Sequence, residues 1–172
     1  MYQNKLKGFT LIELVMVIVI LGVIAALTLP RFADLSRQAK ISTLEGIAGS
    51  INATTAIVRS KAYVQGLSVS GANPGAGQSA YVVETEAGRA EVDWRNLCPE
   101  SEAELADQLE LIDYVDLSGG GSIGSDSSNR YTVIGFELPS NTNNPNRTTG
   151  CYVLYDSFGD PNCTVEVITP NC

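Results

Sequence analysis

From Phe9 to Leu29 the chain reads FTLIELVMVIVILGVIAALTL, apolar at nearly every position and interrupted by one charged residue, Glu13. That run predicts a helix that is apolar all round, roughly 30 Å long at ~1.5 Å per residue, which is enough to cross a bilayer. Beyond Pro30 the polarity rises while helical spacing persists through Phe32, Leu35, Ala39, Leu44, Ile47, Ile51, Thr54, Val58 and Ala62. This predicts an amphipathic continuation, with Arg31, Asp34, Arg37, Lys40 and Glu45 toward solvent and Gly66 as the terminator. The apolar stripe reads as packing for a sheet.

The pattern then changes. Residues 66–78 are uncharged and rich in Gly, Ser, Ala and Asn, the composition of a loop. Ala80–Glu84 and Arg89–Trp94 carry β-propensity with partial alternation. Ser101 to Glu104 matches a capping box and, with Leu105, Leu109 and Ile112 at helical spacing, predicts a short acidic helix over Glu102–Ile112. Ser118–Asn129 reads as a second loop and Tyr131–Leu138 as the clearest strand. After the Asn-rich stretch Pro139–Gly150, Cys151–Tyr155 and Thr164–Ile168 read as a terminal hairpin. These elements predict an α+β fold, a long N-terminal helix packed on a C-terminal antiparallel sheet of four or five strands.

Composition narrows the function. The net charge of −8 argues against nucleic-acid binding, which needs clustered Lys and Arg. The absence of histidine removes Ser-His-Asp and Cys-His catalysis and His-ligated metals. No enzymatic activity, cofactor or metal is expected. Gly119, Gly121 and Gly124 fit G-x-G-x-x-G, and Gly120, Ser122 and Gly124 fit G-x-S-x-G, but both lack the surrounding context their chemistry needs. Cys98, Cys151, Cys163 and Cys172 form no C-x-x-C pair and read as two disulfides in an oxidising compartment. If Tyr155 faces Thr164 or Val165 across the hairpin, Cys151 lies near Cys172 and Cys98 is left for Cys163.

Lys5 and Lys7 precede the apolar run, so the N-terminus is expected to stay cytoplasmic while the rest crosses the membrane. A cleaved secretory signal would need a shorter apolar core ending near Ala25 and Ala26. A plain anchor explains the length but not Glu13, since a carboxylate at bilayer depth costs about 2.5–3.5 kcal/mol. Glu13 needs a partner.

The residues Lys7-Gly8-Phe9-Thr10-Leu11-Ile12-Glu13 resemble the type IV prepilin cleavage motif, and the resemblance extends through Pro30 into Arg31–Leu35. It implies cleavage between Gly8 and Phe9 by a prepilin peptidase, N-methylation of Phe9, and pairing of Glu13 with the new α-amine on a neighbouring chain. Gly22 and Pro30 fall where related pilins have a locally unwound stretch, with an unkinked helix as the alternative. The implied layout is a cleaved leader over 1–8, a transmembrane and assembly helix over 9–30, an amphipathic helix over 31–65 and a disulfide-closed head over 66–172. The resemblance supports the Cys151–Cys172 pair, since type IV pilins close their C-terminal region with a disulfide.

Arg31–Ile47, the length and the Cys151-Tyr152-Val153 start of the closing hairpin look like the mannose-sensitive haemagglutinin group of type IVa pilins. The implied function is a structural pilus subunit for adhesion and biofilm formation. Its expected partners are identical subunits, the prepilin peptidase, the inner-membrane assembly machinery and host or environmental surfaces. The chain would be single-pass in the inner membrane before assembly, then extracellular. A type II secretion pseudopilin is the nearest alternative, and a membrane-anchored periplasmic binding protein or enzyme the more distant one. Asp156 and Asp160 flank a turn and are read as solvated rather than as a calcium loop. Trp94 is read as a core or interface residue rather than a sugar platform.

Overall fold

The computed structural model describes residues 8–105, 107–117, 122–159 and 162–172, and at Leu29, Pro30 and Ala33 the backbone only. The expected leader residues Met1–Lys7, the loop glycines Gly119–Gly121 and the turn residue Asp160 lie outside the described residues. The chain divides into two compact units, one ending at Gln38 and the other running Ala39–Cys172.

Helix α1 covers Leu11–Val64 and contributes to both units. It passes Gly22 and Pro30 as continuous helix. In the first unit, every large apolar side chain from Leu11 to Leu27 is exposed, from 39% at Val15 to 80% at Leu11. Phe32 and Leu35 are exposed as well, at 68% and 63%, so the packing stripe expected from Phe32 onward instead begins at Leu44. The reason is spatial, because the buried helix positions all fall in the second unit.

Within that unit α1 buries Leu44, Ala48, Ile51, Thr55, Val58 and Ala62. Their alternating spacing of four and three residues keeps one stripe against the sheet. Gly66, at φ +85, ends the helix. Its N–H donates to Tyr63 O at 3.0 Å and the Leu67 N–H donates to Ala62 O at 3.0 Å, which satisfies the last carbonyls in a Schellman motif.

Two antiparallel sheets follow. β1 (Val82–Glu84) pairs with β2 (Arg89–Glu91). The larger sheet has the order β3 (Gly124–Ser127), β4 (Tyr131–Glu137), β5 (Cys151–Asp156), β6 (Thr164–Ile168). Strand β5 is buried along its whole length. Its odd-numbered side chains Cys151, Val153 and Tyr155 join Ile134, Leu111 and the helix residues Leu44, Ala48 and Ile51 in one core, while Val58 and Ala62 pack with Val83, Ala90, Val92 and Leu97 in a second. The even-numbered Tyr152 and Leu154 pack with Val133 and Ile168 on the opposite face. The Asn-rich loop after β4 covers that face, where the Tyr152 hydroxyl donates to Asn146 O. At Gly135 a Cβ would run into Cys151 O and the Tyr152 backbone, so only glycine fits at this bulged crossing of β4 and β5.

Two sequence expectations are corrected. Ser118–Asn129 is not wholly loop, since β3 pairs there with β4 despite its polar, Gly- and Ser-rich composition; backbone pairing to a well-formed neighbour overrides weak β-propensity. The acidic helix over Glu102–Ile112 does not form, and a 3-10 turn at Leu111–Tyr114 stands near its expected end. The capping groups are engaged elsewhere. Ser101 Oγ donates to Arg130 O at 3.0 Å, while the N–H groups of Glu104 and Leu105 donate to the Glu91 carboxylate at 2.8 and 3.0 Å.

Disulfides join Cys98 to Cys163 and Cys151 to Cys172. The in-register pair Tyr155–Val165 brings the C-terminal segment back along β5, and Asn171 N–H donates to Gly150 O at 3.0 Å. The Cys98–Cys163 bridge ties the loop after β2 to the β5–β6 turn. Asn96 reinforces that junction, donating from Nδ2 to Ser157 O at 2.7 Å and Gly159 O at 2.8 Å, while its own carbonyl accepts from Arg59 Nε at 3.1 Å.

Candidate processing and assembly site

The start of α1 is a reciprocal capping box. Thr10 C=O accepts the first helical bond from Leu14 N–H at 3.3 Å, and its Oγ1 accepts from Glu13 N–H at 3.3 Å. Glu13 Oε2 in turn accepts from Thr10 N–H at 2.9 Å and from the Thr10 hydroxyl at 2.7 Å. Threonine and glutamate three apart satisfy two otherwise orphaned N–H groups, which is why the helix begins at Leu11. The same arrangement leaves Gly8 and Phe9 ahead of the helix, exposed and non-helical, with Phe9 at 85% exposure. The Gly8–Phe9 bond therefore lies in exposed, non-helical backbone.

Among the described residues, Glu13 therefore accepts its hydrogen bonds on one oxygen, Oε2. An ammonium group from a cleaved N-terminus can approach the carboxylate without dismantling the cap. Such a pair, brought into apolar surroundings, is held by mutual attraction, and removing either partner strands the other.

The rest of the apolar segment suits a lipid or protein interior. Leu11–Thr28 has a mean hydropathy of 2.8 and is long and apolar enough to cross a membrane. Thr28, its second polar interruption, returns its hydroxyl to Ile24 O at 3.1 Å and leaves no free donor there.

Asp156 is not a solvated turn residue. It is 4% exposed and receives a two-point bond from Arg130. Among the described residues no group of three or more carboxylates, cysteines or histidines could hold a metal ion. Trp94 is partly buried, with the Arg95 guanidinium 4.2 Å from its ring centre. A cluster of buried carboxylates beside it, Glu91, Asp93 and Glu100, was not found from the sequence. The available signal was the i, i+2 spacing of Glu91 and Asp93, which puts two acids on one face of an extended segment.

Residues 3–29 match the family described as the prokaryotic N-terminal methylation motif. The type IV narrow pilus major component PilA5 of Thermus thermophilus is 45% identical over 53 residues, 31% of this chain and 46% of that protein. The type IV major pilin protein PilE of Neisseria gonorrhoeae is 53% identical over 36 residues, 21% of this chain and 22% of the relative. The type II secretion system core protein G of Pseudomonas aeruginosa is 44% identical over 46 residues, 27% of this chain and 32% of the relative. The chain thus spans less than half the length of these curated relatives. No solved structure matches the chain. The matched methylation motif overlaps the apolar start of α1.

Proposed function

We propose that this chain is a structural subunit of a type IV pilus, polymerising through α1 into a surface fibre. The observation that carries the reading is the uninterrupted exposure of the apolar side chains from Leu11 to Leu27, while Ala39–Cys172 has a complete core of its own. An apolar surface of that extent is unstable in water and calls for lipid first and identical helices afterwards. Fifteen large apolar side chains lie between Phe9 and Leu29, and each offers about 1.5–3 kcal/mol on burial before entropy is subtracted.

In this reading a prepilin peptidase removes residues 1–8, Phe9 is N-methylated, and Glu13 pairs with the amine of an adjacent subunit to set the axial step. Gly22 and Pro30 give the helix a place to unwind as subunits pack. The chain sits single-pass in the inner membrane, is drawn out by the assembly machinery and ends on the cell surface, where the fibre serves adhesion and biofilm formation. It has no catalytic role, and its resemblance to the mannose-sensitive haemagglutinin group of type IVa pilins supports the role in surface attachment.

The similarity to the secretion core protein supports a pseudopilin as the second reading. Electron microscopy of sheared surface fibres, with N-terminal sequencing of their subunit, separates the two. A fibre subunit beginning at methylated Phe9 is expected; a product retaining Met1, or starting beyond Ala26, overturns the proposal.

A further inference from the structure

Between the loop that follows β2 and the segment 100–104 lies a cavity of about 110 Å³ lined by four carboxylates, Glu91, Asp93, Glu100 and Glu104, together with Trp94 and Phe158. Glu91, Asp93 and Glu100 are its buried members, at 4%, 1% and 8% exposure, while Glu104 stands at the exposed rim. Three of the four are already engaged within the chain. Glu91 Oε2 accepts from the N–H groups of Glu104 and Leu105. Asp93 accepts from the Arg95 N–H at 2.6 Å and from the Arg95 guanidinium. Glu104 Oε1 accepts from Asn129 Nδ2 at 3.0 Å.

Glu100 is different. Its Oε2 is buried and has no hydrogen-bond partner among the described residues. Among the described residues, Arg95 is the one cation lining the cavity, and it is held on Asp93 and sandwiched between Trp94 and Phe158, 4.2 Å from each ring centre. A buried carboxyl without a partner is costly, and native structures satisfy such groups with protein, water or ligand.

We propose that this cavity binds a small organic ammonium ion, with Glu100 as its anionic partner. The chemistry fits on three counts. An ammonium brings three donors and needs no converging ligand set, since Glu100 Oε2 supplies the anionic acceptor and other cavity oxygens or solvent take the remaining donors. The faces of Trp94 and Phe158 tolerate a cation, as their contact with Arg95 already shows. A hard divalent ion would need six to eight converging oxygens, and among the described residues no three carboxylates converge on one point.

The site is coupled to protons. Burial first, and then the charges of Asp93, Glu91 and Glu104, push Glu100 up to about 9, with Arg95 opposing. The other titratable group facing it is Tyr155, whose hydroxyl is tied to Pro99 O at 2.7 Å and is itself pushed upward by burial and by Glu100. An ammonium ion therefore displaces the Glu100 proton when it binds below pH 9.

Trp94 is the only tryptophan, so its emission reports on the cavity directly. The full chain in detergent micelles is titrated with methylammonium chloride at constant ionic strength, and separately with calcium chloride. The expected result is a saturable change with methylammonium that tightens about tenfold per pH unit between pH 7 and 9. Glu100→Gln is expected to weaken it at least tenfold with unchanged circular dichroism, and Glu104→Gln to weaken it less. Any of four results overturns the proposal: no saturable response beyond that of sodium chloride, equal affinity in Glu100→Gln, saturation by calcium in preference to methylammonium, or wild-type affinity that does not vary with pH. The last is read on the unaltered chain and holds even where a variant fails to fold.

Discussion

Arg130 clasps Asp156 with two parallel bonds, Nε to Oδ1 at 2.8 Å and Nη2 to Oδ2 at 2.7 Å, across the start of β4 and the end of β5. Arg130 remains 47% exposed at its side chain while Asp156 is nearly enclosed. The carboxylate also accepts from Phe158 N–H at 3.0 Å and so fixes the turn that leaves β5. Asp156→Asn keeps the shape but removes the charge-assisted bonds, with an expected loss of about 1–3 kcal/mol. Denaturant unfolding of the variant checks this, and a midpoint equal to wild type would show the pair to be energetically idle.

Thr10 and Glu13 cap α1 together, yet the proposed function gives Glu13 a second role that Thr10 lacks. Thr10→Ala is expected to cost about 1 kcal/mol of helix stability and to leave fibre assembly intact. Glu13→Ala loses the same cap and also the partner for the neighbouring amine, so fibre yield should collapse. Quantifying sheared fibres from both strains tests the distinction, and equal yields would reduce Glu13 to a capping residue.

The two disulfides close loops of different size, with sequence separations of 65 for Cys98–Cys163 and 21 for Cys151–Cys172. Chain-entropy arguments assign each about 2–4 kcal/mol, with about 1 kcal/mol more for the longer loop. Paired Cys→Ser variants are expected to rank in that order by thermal unfolding. Reversal of the ranking would place the local closing of β5 and the C-terminus above the tie between the two sheets.

Stability should fall as pH rises from about 4.5 to about 9. Glu100 is held protonated in the fold by burial and by its acidic neighbours, whereas its ordinary value is 4.5. Between those values the folded chain binds a proton that the unfolded chain does not. The resulting stability is fully present below 4.5 and is lost as pH climbs through about 9, at up to about 1.4 kcal/mol per pH unit. Unfolding free energies of wild type and Glu100→Gln across this range check the sign; the variant should show a flatter curve.

Much of the architecture is readable without coordinates because it is local. Helical spacing marks α1 and Gly66 ends it; β-branched and aromatic runs mark β4, β5 and β6. Where the reading failed, a distant group had taken over a local one. Ser101 looks like a helix cap, but its hydroxyl serves Arg130 O, and the N–H groups that would have opened that helix serve Glu91. β3 carries little strand signal of its own and exists through its pairing with β4.

The apolar segment with its lone acid, the motif at Gly8, Phe9 and Glu13, and the order of the main elements can be read directly from the residues, because each depends on neighbours along the chain or one helical turn apart. Tertiary structure alone decided that Leu44 rather than Phe32 begins the packed stripe, that Asp156 is clasped by Arg130, and that Glu91, Asp93, Glu100 and Glu104 share one cavity. Proximity created by chain reversals leaves no periodic trace in the residues, and burial, which sets the charge state of a group such as Glu100, is a property of what surrounds a side chain rather than of the side chain itself.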